Sequence, residues 1–224
     1  MTPEQLLSHF RVQVSDTARP YLWSDDEVYV YMDLAHKMFV RKTGGIFDVS
    51  SEACTVQITA GEKYSDLHPS ILHIRKAVKD DFSEISVANV SDEQFMATYD
   101  YGVMKRLSNL EEVGRVEYMI IGEERNKCRW VRVPDADGEV SLTIARLPLS
   151  DVTESSDSFE IASEHHHYLV DYMKSLAYQK HDADAFNPKL SAEAEARFFA
   201  YCDYVWREWE RYRHKPRSVA YGGI

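Results

Sequence analysis

Residues 24–59, SDDEVYVYMDLAHKMFVRKTGGIFDVSSEACTVQIT, decide the fold, because the hydrophobic period changes partway along them. The opening, Ser24-Asp25-Asp26-Glu27, has the serine-to-glutamate spacing of a capping box, in which two side chains satisfy orphan amides at a helix start. Behind it Val28, Tyr31, Met32, Ala35, Met38 and Phe39 recur at helical spacing, which predicts a helix to about Lys42 that stops at Gly44-Gly45. From Cys54 the apolar residues alternate instead (Cys54, Val56, Ile58), as in a half-buried strand. The chain therefore passes from helical to sheet chemistry within a few residues.

The same two periods organise the rest. Leu6, Leu7, Phe10 and Val14 follow Pro3 at helical spacing, so residues 3–14 form an amphipathic helix that ends before Pro20. Gly61 provides a turn before Tyr64, and Ile71, Ile74 and the stretch Ile85 to Val90 read as strands. Residues 92–107 read as a short helix placed by Asp92, and 115–122, 129–133 and 139–146 as three strands. Pro134 to Gly138 is expected to be a hairpin turn, with Gly138 supplying a positive φ. Residues 147–158, with Pro148 and many Ser and Asp, form a loop. Helical spacing returns from Ser163 to His181. It returns again after Asn187-Pro188, with Ala194, Phe198, Tyr201, Cys202, Val205 and Trp209 on one face. The expected architecture is α+β: a bundle of about four helices (1–52 and 159–212), a β-rich insertion (53–158) and an extended C-terminal tail (213–224).

Composition narrows the function classes. With 224 residues, 44% hydrophobic and 12% aromatic, the chain can bury a core without staples. Three separated cysteines, Cys54, Cys128 and Cys202, offer neither a disulfide framework nor a CxxC site, which fits a reducing compartment. No run approaches the ~18 apolar residues of a membrane span, and no address label is visible. A net charge of -11 opposes a phosphate backbone. That charge is uneven: from Arg211 to Ile224 there are Arg211, Arg213, His214, Lys215 and Arg217 and no Asp or Glu.

Candidate chemistry is sparse. His165-His166-His167 cannot converge on one ion from adjacent helical positions, which point about 100° apart. His181 with Asp182 and Asp184 reads as a helix end with solvated carboxylates. Asp135-Ala-Asp137-Gly138 lacks the remaining ligands of a calcium loop. Asp25-Asp26-Glu27 and Glu123-Glu124 read as a cap and a turn rather than a glycosidase pair. With no G-x-S-x-G, Walker A or GxGxxG motif, no catalytic, cofactor-binding or metal-binding residue is assigned, and a metal-dependent enzyme is the weakest alternative. The basic, aromatic C-terminus has three open readings: a core-facing helix with a solvated end, a segment docking on a protein partner, or a nucleic-acid contact. The segment outlasts the helical period, which favours docking.

Three stretches carry a resemblance. Pro20-Tyr-Leu-Trp23-Ser24-Asp25-Asp26-Glu27 is similar to the P-x-x-W-S-D-D-E opening of the second helix in head-to-tail adaptor (connector) proteins of short-tailed bacteriophages. Thr43-Gly44-Gly45 with Asp48 resembles that helix's exit. Phe159 to His167, with Leu169 to Tyr172, resembles the family's E-I-P-E-x-x-H helix start, with Ala162 where Pro is common; Ala177-Tyr178 and Asp182 to Pro188 resemble its end and turn. The resemblance implies a structural virion protein at the head–tail junction, assembled in the host cytoplasm. It would form a ring of usually twelve copies between the portal protein and the tail tube or nozzle proteins. Its C-terminus would anchor in the portal through Arg211, Arg213, His214, Lys215, Pro216, Arg217, Val219, Tyr221 and Ile224. DNA would pass through the ring without specific binding, and no membrane would be involved.

Overall fold

A computed structural model describes residues 1–90, 112–182 and 184–213. The expected helix over 92–107 and the residues from 214 onward lie outside the described residues. The fold is mixed α/β and divides into two compact units: Met1–Gly44 with Pro148–Ile224, the helical unit, and Gly45–Leu147, the β unit. The boundary falls a few residues ahead of the expected 52/53 junction because Ile46–Asp48 already pair in the sheet.

In the helical unit, four α-helices lie among the described residues: α1 (Pro3–Gln13), α2 (Asp25–Lys42), α3 (Leu169–Tyr178) and α4 (Pro188–Arg213). Both N-terminal helices begin with capping boxes, Thr2 with Gln5 and Ser24 with Glu27. The core gathers Leu6 and Phe10 of α1, Val28, Met32, Ala35 and Phe39 of α2, Leu169, Val170, Met173 and Ala177 of α3, and Phe198, Cys202 and Val205 of α4. Trp23 fills its centre: its ring is crossed edge-on by Phe10 and Tyr178, and Nε1 donates to the Ala177 carbonyl at 3.3 Å. The buried face of α2 is wider than the apolar stripe suggested, since it also takes in Tyr29, His36 and Val40. Residues 163–168, expected to open a helix, instead wind as a 3₁₀ turn ahead of α3.

Among the described residues the β unit holds ten strands. Eight form one sheet in the order β1-β10-β4-β5-β7-β8-β3, with β2 also paired to β10. The members are β1 (Ile46–Asp48), β2 (Thr55–Ile58), β3 (Tyr64–Asp66), β4 (Ile71–Lys79), β5 (Glu84–Asn89), β7 (Tyr118–Ile121), β8 (Lys127–Val131) and β10 (Gly138–Arg146). The remaining two, β6 (Val113–Gly114) and β9 (Val133–Pro134), make a separate parallel pair. The sheet curls: the Ser65 hydroxyl of its last strand donates to the Gln57 carbonyl of β2 at 2.6 Å. Val56, Ile58, Cys128, Trp130, Val140, Leu142 and Ile144 alternate onto the enclosed face, as a two-residue period requires.

Two sequence expectations need correction. β8 and β10 pair with different neighbours, so Pro134 to Gly138 is a turn between strands that never form a hairpin. There Asp137 Oδ1 accepts the Ala60 amide at 2.8 Å, and the nearby positive φ falls on Arg132 (70°) rather than Gly138. Strands β1, β3 and β6 were not read from the sequence; each has only two or three residues, too few for a period to show.

Candidate functional site

The described part of the proposed docking segment is the end of α4. Its start is fixed by Pro188 in the first turn and by Asn187, whose Oδ1 accepts the Leu190 amide at 3.1 Å. Ala194, Phe198, Cys202 and Val205 then bury one face of the helix. Tyr201 braces it from the side: its ring stacks on Tyr168 at 3.3 Å between centroids, and its hydroxyl lies 2.9 Å from His165 Nδ1. Burial, with Tyr168 adding to it, pushes the Tyr201 phenol up to about 12, so it stays neutral and bridges two elements.

The end of α2 meets α4 at Trp206. Gly44 has φ +86°, and a Cβ there would lie 2.2 Å from the Trp206 ring, so the crossing requires glycine both for backbone and for space. Beyond that crossing the buried stripe stops: Trp209, expected on the core face, is 41% exposed. Ala200, Asp203, Tyr204, Arg207, Glu208 and Arg211 line a shallow concavity on the outer face, in which the Tyr204 hydroxyl donates to Glu208 at 2.7 Å. Of the proposed contact residues, Arg211 is exposed on the last turns and Arg213 is the final residue of α4. His214, Lys215, Pro216, Arg217, Val219, Tyr221 and Ile224 lie outside the described residues.

The other candidates have structural occupations. His166 is 6% exposed: Nδ1 accepts from the Met1 ammonium and Nε2 donates to the Ile161 carbonyl, each at 3.0 Å. His165 bonds Tyr201, while His167 lies over Tyr168. His181 stacks on Phe186. Glu27 serves the cap and Lys180, and Asp25 pairs with Arg11. Glu123 faces Arg129, and Glu124 pairs with Lys127 at 2.7 Å. Among the described residues, no group of three His, Cys, Asp or Glu could hold a metal ion. Burial pushes the Cys128 and Cys202 thiols up to about 12, far from thiolate chemistry at neutral pH.

One buried polar cluster escaped the sequence reading. Arg11, on the core-facing side of α1, donates to Asp16 at 2.7 Å, to Asp25 and to the Trp23 carbonyl, with its guanidinium 3.7 Å from the Tyr21 ring centroid. The available signal was a lone arginine next to Phe10 on a short apolar helix.

A family model described as SU10 adaptor protein matches residues 1–219. No curated protein matches the chain.

Proposed function

Since the chain belongs to the SU10 adaptor protein family, a family of bacteriophage structural adaptors and not of enzymes, we propose that it forms a ring between the portal and the tail, anchored to the portal by its C-terminal segment. The observation that carries this reading is the segregation of charge. The chain as a whole carries -11, yet residues 211–224 contain five basic or histidine side chains and no acid. α4 leaves the core at Trp206, and Arg211 stands exposed just beyond, where a partner can meet the segment that follows.

In this reading the helical unit supplies the lateral contacts of a ring of twelve copies and the β unit is an insertion that presents a platform to tail tube or nozzle proteins. Residues Arg211, Arg213 and 214–224 fill clefts between portal subunits, folding onto them on binding. The acidic body lets DNA pass without adhering, because like charge opposes phosphate contacts. The place of work is the head–tail junction of the virion. Removal of residues 215–224 is expected to leave both units folded while abolishing attachment to portal-containing heads. Normal attachment of the truncated protein would sink the reading.

A further inference from the structure

Asp80 to Ser83 joins β4 to β5. The Lys79 carbonyl accepts the Phe82 amide at 2.9 Å, and the Lys79 amide donates to the Ser83 carbonyl at 2.9 Å. This is the pattern of a three-residue hairpin loop, a type I turn followed by one left-handed residue at a bulge, the position that glycine ordinarily takes. Here the residue is Phe82, with φ 62° and 92% of its surface exposed.

The loop is held rather than loose. The Asp80 amide donates to the Glu139 carbonyl at 3.1 Å. Asp81 Oδ1 accepts the Ser83 amide at 2.9 Å and the Ser83 hydroxyl, while Arg115 donates to Asp81 Oδ2 at 2.8 Å. Folding gains nothing from a phenyl ring in water, and the backbone there would be better served by glycine. Solubility disfavours it as well. A bulky residue kept in a costly conformation, on a braced loop and facing outward, is a recognition feature.

The nature of the partner follows from the surrounding charges. Asp81, next to Phe82, is matched by Arg115, and Glu84 has Lys76 at 4.0 Å, so these two acids have cations beside them and the apolar feature the loop displays is the ring. We propose that Phe82 is an anchor that inserts into an apolar socket, the size of one aromatic ring, on the tail protein that follows this adaptor. The proposal rests on the reading above, which gives the portal to the C-terminal segment and leaves the β unit for the next component.

The test uses phage carrying Phe82→Gly, with Phe82→Trp as its companion. For Phe82→Gly, purified particles should retain the adaptor at its normal ratio to portal, lose the tail protein that follows, and fall at least ~10-fold in infectious titre, the loss expected of a central interface anchor. The isolated full chain should unfold at the same midpoint or about 2–4 °C higher, because glycine relieves the left-handed backbone. Phe82→Trp should keep its tail proteins. A full complement of tail proteins with normal titre in Phe82→Gly overturns the proposal, and so does a lowered unfolding midpoint, which would make Phe82 a folding residue. Loss of the adaptor itself from heads would place the ring against the portal or a second copy, and likewise refutes it. Failure of the 215–224 deletion to detach the protein would instead count against the portal anchor, so the two readings fail separately.

Discussion

The two units bury their polar groups by different means. In the β unit the ladders satisfy the backbone, and the main buried charged pair is Asp48 with Arg146, at 2.5 Å beside the first rung of the sheet. The helical unit has long connections that no ladder can satisfy, and side chains plug them. Asp16 accepts the Leu22 amide at 2.9 Å, Asp33 the Val152 amide at 3.0 Å, and Glu160 the Leu149 amide at 2.7 Å. These three carboxylates inside the helical unit therefore act as loop fasteners.

The largest expected effect tests that contrast directly. Arg11→Ala leaves Asp16, 8% exposed, without its cation and should destabilise the helical unit by about 3–5 kcal/mol. Denaturant unfolding followed at the Trp23 indole should register the loss, while the Trp130 indole of the β unit, bonded to Ser65 at 2.9 Å, serves as the internal control. An equal loss at both indoles would show that the two cores are not separate in the way described.

The next effect is one of pH. His36 is 1% exposed, neither ring nitrogen has a hydrogen-bond partner among the described residues, and Phe159 meets its ring edge-on. Burial pushes its pKa from 6.5 down to about 4; Glu160 and Asp33 pull it back up, while His166 and Lys37 push it further down. The unfolded chain then takes up the proton first, so stability is intact above pH 6.5 and declines down to pH 4, by about 3 kcal/mol in all. Asp48 works in the same direction, but in a lower pH range. Burial would raise its pKa, but the amides of Ser50 and Ser51, the Ser51 side chain and Arg146 hold it well below 3.8. Its contribution is present above that value and is lost only in more acidic solution. Acid titration should loosen the environment of Trp23 before that of Trp130, and His36→Leu should remove the gap. Simultaneous loss of both signals below pH 4 would contradict this.

The smallest expected effect concerns local chemistry. Ser24→Ala removes the acceptor for the Glu27 amide, 3.2 Å away, and should cost about 1 kcal/mol, measurable as a lower urea midpoint with the β unit's amide exchange unchanged.

Much of this was legible in the sequence where a signal is local. Ser24 and Glu27 predicted their own cap, Asn187-Pro188 the start of α4, and Val56-Gln-Ile58 a strand, because caps and periods depend on neighbours a few residues away. The Arg11 cluster was not legible, since its partners are set by how residues 14–24 loop back onto α1. His36 was hidden because the buried face of α2 is wider than its aliphatic stripe. Trp209 continues the helical period of α4 yet is 41% exposed, since a period marks a face of the helix and not how far along it that face stays buried. Nothing in the sequence singles out Phe82, because its φ of 62° and its 92% exposure are set by how β4 and β5 pair.

The pairing of β1 with β10 has a consequence for how such proteins diversify. Ile46 and Arg146 face each other across one rung, so the hundred-odd residues of the β unit depart and return within about 5 Å. A module with adjoining ends behaves as a cassette: recombination can exchange it for any other whose ends match that spacing, with the helical scaffold left untouched. Relatives built on one helical scaffold can thereby carry different sheet surfaces.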